Sequence, residues 1–171
     1  MMSKAGNPRP PSIHAEIQQS KPFRTRSQEA YLDLIRTADD AKRRIASMLD
    51  ASSITLQQYN VLRILRGARP EGLPTLAIAE RMVERTPGVT RLVDRMEGKG
   101  WVYRERCTDD RRRVWCRITA AGLELLEPLD QPINSIDDSL FDALSEDELV
   151  DLIGYLDRLR AHFASTTTDL P

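Results

Sequence analysis

The chain has 171 residues, 40% of them hydrophobic but only 5% aromatic, and a formal net charge of −1. That composition supplies the core of one domain with an extension, packed mainly by aliphatic and Met side chains. No apolar run approaches the roughly 18 residues of a membrane span. Two cysteines cannot build a disulfide framework, and the opening MMSKAGNPRPPSIHAE lacks the apolar stretch of a secretory leader, so the sequence predicts a cytoplasmic protein without membrane contact.

Residues 1–26 hold Pro8, Pro10, Pro11 and Pro22 and predict a flexible lead-in with a short helical piece around IHAEIQQ. From Ser27 apolar residues recur at helical spacing (Ala30, Tyr31, Leu34, Ile35, Ala38, Ala41, Ile45, Met48, Leu49), which predicts a long amphipathic helix over residues 27–49. Thr55, with Gln58 three residues on, forms a capping box at the head of the next helix, whose Tyr59, Leu62 and Leu65 share one face. RGARPEGLP reads as a turn, and a short helix over residues 75–82 follows. In TPGVTRLVDRMEGKG, Thr86 is the expected N-cap and Pro87 the expected first helical residue. Val89, Leu92, Val93 and Met96 make its buried stripe, Thr90, Arg91, Asp94 and Arg95 fall on other faces, and Gly98 and Gly100 close it.

WVYRERC and RVWCRI then alternate as strands, joined by the turn-like TDDRR, and predict a hairpin with arginines at its tip. Thr119 caps a helix bearing Leu123, Leu125 and Leu126, which Pro128 and Pro132 are expected to kink or divide. Ser145 with Glu148 makes a second capping box, ahead of a helix with Leu149, Leu152, Ile153, Leu156, Leu159 and Phe163.

Charge is distributed unevenly along these elements. Residues 81–117 carry eleven Lys/Arg against six Asp/Glu, whereas residues 118–171 carry two against twelve. A basic middle beside an acidic end fits a local footprint for a polyanion, and equally an unevenly solvated surface. Element order separates the two. Helix, tight turn, capped helix and basic hairpin is the order of a winged helix-turn-helix. Its second helix lies in a DNA major groove, where the small Thr86, Gly88 and Thr90 let the backbone approach and Arg91 and Arg95 meet phosphates or guanine edges. A stiff hairpin carrying Arg111, Arg112 and Arg113 reaches the adjacent minor groove, whose negative potential attracts arginine. The fold class expected is mainly α with a small β-hairpin wing.

The stretch GLPTLAIAERMVERTPGVTRLVDRMEGKGWVYRERCTDDRRRVWCRITAAGLELL resembles the MarR family of winged helix-turn-helix transcriptional regulators. The likeness runs over roughly residues 27–165 and is most specific between Thr75 and Gly122. The family's wing pattern, Asp-x-Arg before an apolar strand and a Thr-x-x-Gly, matches Asp110, Arg112, Thr119 and Gly122. The resemblance implies that Arg112 enters the minor groove and that Asp110 holds it in place. It also implies a twofold homodimer on a pseudo-palindromic operator, and repression relieved by a small aromatic or anionic effector or by an oxidant. Arg113 departs from the pattern, standing where relatives often carry an apolar or small residue, and Pro128 interrupts the helix after the wing. The expected organisation is a lead-in over residues 1–26, a dimerisation helix over 27–54, a winged helix-turn-helix over 55–119 and dimerisation helices over 120–171.

Other chemistry finds little support. Cys116 alternates with Val114 and Ile118 and reads as a small core residue. Cys107, among basic neighbours, invites a thiol-switch reading, but the hairpin register sets it too far from Cys116 for a disulfide. His14 and His162 stand alone, no metal-ligand spacing or cofactor fingerprint occurs, and no nucleophile has a readable base, so no enzyme, metal or cofactor is expected. Tyr31 and Tyr59 are read as core residues, and no ligand-binding residues are assigned. The alternatives are a winged-helix adaptor that binds protein instead of DNA, and a redox-sensing regulator.

Overall fold

A computed structural model of the protein describes residues 12–85, 87–106 and 114–166, and the chain divides into two compact units, residues 1–44 and residues 45–171. In the first unit a single helical turn, α1 (Ile13–Glu16), buries Ile13. The long helix α2 (Arg26–Asp50) starts in this unit and ends in the second. Its start is capped by two side chains: the Gln28 N–H donates to Thr25 Oγ1 at 3.1 Å, and the Arg24 N–H donates to Gln28 Oε1 at 3.0 Å. Tyr31, expected in a core, is 61% exposed, because its helix face meets solvent and not a packed layer.

The second unit holds the main core. Helix α3 (Leu56–Gly67) opens on the predicted capping box, with Thr55 and Gln58 bonded both ways, so Gln58 is buried yet satisfied. Tyr59, Val61, Leu62 and Leu65 face inward from it. Helices α4 (Thr75–Arg81) and α5 (Val89–Gly98) add Ile78 and the stripe Val89, Leu92, Val93 and Met96, the i, i+3, i+4, i+7 spacing of one helix face. Strands β2 (Val102–Arg106) and β3 (Val114–Ile118) bury Val102, Cys116 and Ile118 against them.

The sheet has a strand that local pattern does not announce. β1 (Leu73–Pro74) pairs antiparallel with β3, giving the order β1-β3-β2. Pro74 sits on an edge strand, where a missing N–H costs no ladder bond.

Helix α5 begins later than the Thr86–Pro87 expectation. Its N-cap is Gly88, in the left-handed region at φ 83°, a conformation that costs glycine nothing. Pro87 therefore precedes the helix and is not its first residue; Thr86 lies outside the described residues.

The expected division at the prolines does not occur. Helix α6 (Ala120–Ser139) runs unbroken through Pro128 and Pro132. Both prolines are exposed, so the carbonyls they leave unpaired lie on the water side, while Leu126, Leu129 and Ile133 bind the opposite face to the core. Helix α7 (Glu146–Thr166) follows its Ser145–Glu148 box, with the Ser145 N–H 2.8 Å from Glu148 Oε2. None of its residues is buried. Among the described residues no helix is long and apolar enough to cross a membrane.

Candidate nucleic-acid interface

The site is built on the α4–turn–α5 corner and the hairpin behind it. Burying the Val89–Met96 stripe turns the opposite side of α5 outward. Gly88, Thr90, Arg91, Asp94 and Arg95 are all exposed there. Arg91 and Arg95, four residues apart, share a face, and neither has an ion pair among the described residues. The corner is tied by the Val83 N–H, which donates to Asn60 Oδ1 of α3 at 3.1 Å.

The hairpin register is continuous from Val102↔Ile118 to Arg106↔Val114. The joint at its base is tight. Thr119 Oγ1 donates to the Gly100 carbonyl at 2.7 Å and accepts the Gly122 N–H at 3.0 Å, while the Thr119 N–H donates to the Trp101 carbonyl at 3.0 Å. A Cβ on Gly122 would stand 2.3 Å from that same Trp101 oxygen, so only glycine fits. The Thr-x-x-Gly of the sequence is thus the hinge plate that fixes the hairpin to α6.

On the outer face of the hairpin Arg117 pairs with Glu105 at 3.0 Å, and Lys99 lies 4.2 Å over the Trp101 ring. On the inner face Arg104 reaches α5. Its guanidinium meets Asp94 at 2.7 Å and Glu97 at 2.7 Å, and lies 3.4 Å from the Thr90 carbonyl. The Arg104 N–H donates to Glu97 Oε1 at 2.9 Å. Partial burial opposes the Arg104 charge, but the hydrogen bonds to Asp94 and Glu97 outweigh it and raise its pKa.

The structure brings Gly88, Thr90, Arg91 and Arg95 together on one exposed helix. Thr86, Cys107, Asp110, Arg111, Arg112 and Arg113 lie outside the described residues, the last five between the paired Arg106 and Val114. Cys116 is buried, with Thr75 Oγ1 3.5 Å from its sulfur. Among the described residues no group of His, Cys, Asp and Glu is placed to hold a metal ion. Sequence reasoning passed over Arg104 and Asn60. The signal for Arg104 was present in the alternation from Val102, which puts it on the inner strand face beside the two acids of α5.

Comparison with known proteins agrees with this geometry. A family model described as the MarR family matches residues 54–114. The transcriptional regulator HosA of Escherichia coli O157:H7 is 30% identical over 95 residues, covering 56% of this chain and 69% of that protein. The crystal structure of a MarR transcription factor from Planctomyces limnophilus is 40% identical, covers 80% of this chain and 98% of its own, and superposes with a TM-score of 0.58. The crystal structure of a Staphylococcus aureus MepR–DNA complex is 26% identical, covers 82% and 99%, and gives a TM-score of 0.71.

Proposed function

The chain belongs to the MarR family of transcriptional regulators, and from that premise we propose that it is a cytoplasmic homodimer that binds a pseudo-palindromic operator and represses transcription until a small aromatic or anionic effector releases it. The observation that carries the DNA-binding part is the exposed face of α5, where Arg91 and Arg95 stand beside Gly88 and Thr90 without an ion pair among the described residues. This face enters the major groove with its N-terminal end toward the base edges, and the hairpin beside it extends to the neighbouring minor groove. Thr86 joins the major-groove set. Arg111, Arg112 and Arg113 form the wing set with Asp110 orienting Arg112, as the family pattern implies. The solved MepR–DNA complex, similar along most of this chain, supports DNA as the ligand.

Dimerisation is assigned to residues 27–54 and 120–171, on either side of the DNA-binding residues 55–119. The apolar, unburied face of α7 supports it. Two α5 helices related by a twofold axis then read half-sites centred roughly 34 Å apart. The reaction asked of the protein is binding alone, with no bond made or broken.

The test is a mobility shift of the full chain on duplex DNA from upstream of its own gene, against a scrambled duplex at one fixed salt concentration. The expected result is a discrete complex on the upstream duplex, at least about a hundredfold tighter than on the scrambled one. Equal affinity for the two, with the chain folded, refutes sequence-specific binding.

A further inference from the structure

Helix α5 carries a liability for any polyanion ligand: Asp94 and Glu97 lie on the same short helix as Arg91 and Arg95. Asp94 is exposed and three residues from Arg91, a spacing at which opposite charges on a helix pair with each other. Left to itself, Asp94 would draw the Arg91 guanidinium away from a phosphate or base. In the structure Asp94 is held elsewhere. Arg104 takes it from the hairpin side at 2.7 Å, takes Glu97 at the same distance, and presents its own backbone N–H to Glu97 as well. One guanidinium thus occupies both carboxylates of the helix, and its side chain is only 22% exposed, against 53% for Asp94.

Resting on the DNA-binding reading above, we infer that Arg104 is a positioning residue for DNA recognition: it sequesters Asp94 and Glu97 on the hairpin side of α5, so that Arg91 and Arg95 face the DNA free of intrahelical partners. The planar, five-donor guanidinium suits the task because it addresses two carboxylates at once. Lysine, a single-point charge, does not.

The role differs from ordinary structural support in what restores it. If Arg104 only glued two elements together, removing the Asp94 charge from a chain that already lacks Arg104 would change nothing further. If it keeps Asp94 off Arg91, removing the Asp94 charge repairs its loss. The test uses the full chain and a fluorescein-labelled duplex enriched from a random-sequence pool by the wild-type protein. Arg104→Gln should bind that duplex about tenfold more weakly, with a shallower dependence on salt because fewer counterions are released. Arg104→Gln with Asp94→Asn should return to within about twofold of the wild type and recover its salt slope.

Arg104→Lys, which keeps the charge and protects the fold, should lose less affinity and be repaired by Asp94→Asn in the same way. Thermal melting followed by circular dichroism establishes that each chain is folded at the temperature of the titration. Equal binding by wild type, Arg104→Lys and Arg104→Gln overturns the inference, and so does a loss that Asp94→Asn leaves unchanged or deepens. Failure of the folded wild-type chain to enrich any duplex overturns the DNA-binding reading itself, which separates that failure from this one.

Discussion

Gly122 and Arg112 belong to the same short pattern and are assigned opposite kinds of work. Gly122 is a packing necessity: its missing side chain lets α6 begin directly against the Trp101 carbonyl. Because the colliding atom is backbone, no rotamer change relieves it. Gly122→Ala should therefore destabilise the protein by about 1–3 kcal/mol, read as a lower urea midpoint at an unchanged slope. Arg112, which lies in sequence between Arg106 and Val114, is proposed to touch DNA. Arg112→Ala should leave the urea midpoint unchanged and weaken operator binding by about 1–3 kcal/mol, with a lower salt slope. Titration of both variants at matched salt, beside both denaturation curves, checks the division. An operator affinity untouched by Arg112→Ala would remove the wing from the interface.

Between elements, the clearest tie is the two-pronged ion pair from Arg66 of α3 to Asp130 of α6, at 2.7 and 2.8 Å. The Arg66 hydrogen bonds hold the Asp130 carboxyl below its ordinary pKa of 3.8, and the same bonds raise Arg66, which stays charged throughout. A lowered carboxylate pKa stabilises the fold fully above the unfolded value, and the contribution fades as the pH falls through the folded value. The Asp130 side chain is 42% exposed, so solvent screening limits the pair to at most about 1 kcal/mol. Asp130→Asn should accordingly melt about 2–4 °C below wild type at neutral pH. The gap should close as the pH drops below 3.8. A gap that persists there would assign the effect to packing. At this scale the sequence is legible where the signal is local. The Thr55–Gln58 and Ser145–Glu148 boxes, the α5 stripe and the Thr119–Gly122 joint all follow from residues within a turn or two. Strand β1 is not legible, because two residues ending in proline carry no alternation and acquire a strand identity only from β3. Continuity of α6 through Pro128 and Pro132 is hidden for a related reason: the local rule against proline is outweighed by burial of Leu126, Leu129 and Ile133 on the far side. The candidate site divides the same way, with the faces of α5 readable from periodicity and the Arg104 bridge readable only once the hairpin is folded against it.

Over the whole molecule the unresolved demand is that of α7. It is a 21-residue helix with acids in its first turn, favourably placed against the helix dipole, and no buried residue to anchor it. Ile153, Leu159 and Phe163 are 51%, 43% and 57% exposed on one side. Helices draw most of their stability from burying an apolar face, so a second copy is the partner proposed. Leu159→Glu with Phe163→Glu should leave the main core intact and convert a dimer into a monomer in sedimentation velocity at micromolar concentration. A variant that still sediments as a dimer would place the interface elsewhere. If the dimer holds, the lack of internal anchoring makes helicity over residues 146–166 a matter of mass action. Amide hydrogens there should exchange quickly in dilute protein and slowly in concentrated protein, while those of α3 and α5 ignore dilution. The number of molecules in the cell would then be written into the folding of the last helix, and a regulator built this way would grip its DNA only once enough copies had been made to finish folding one another.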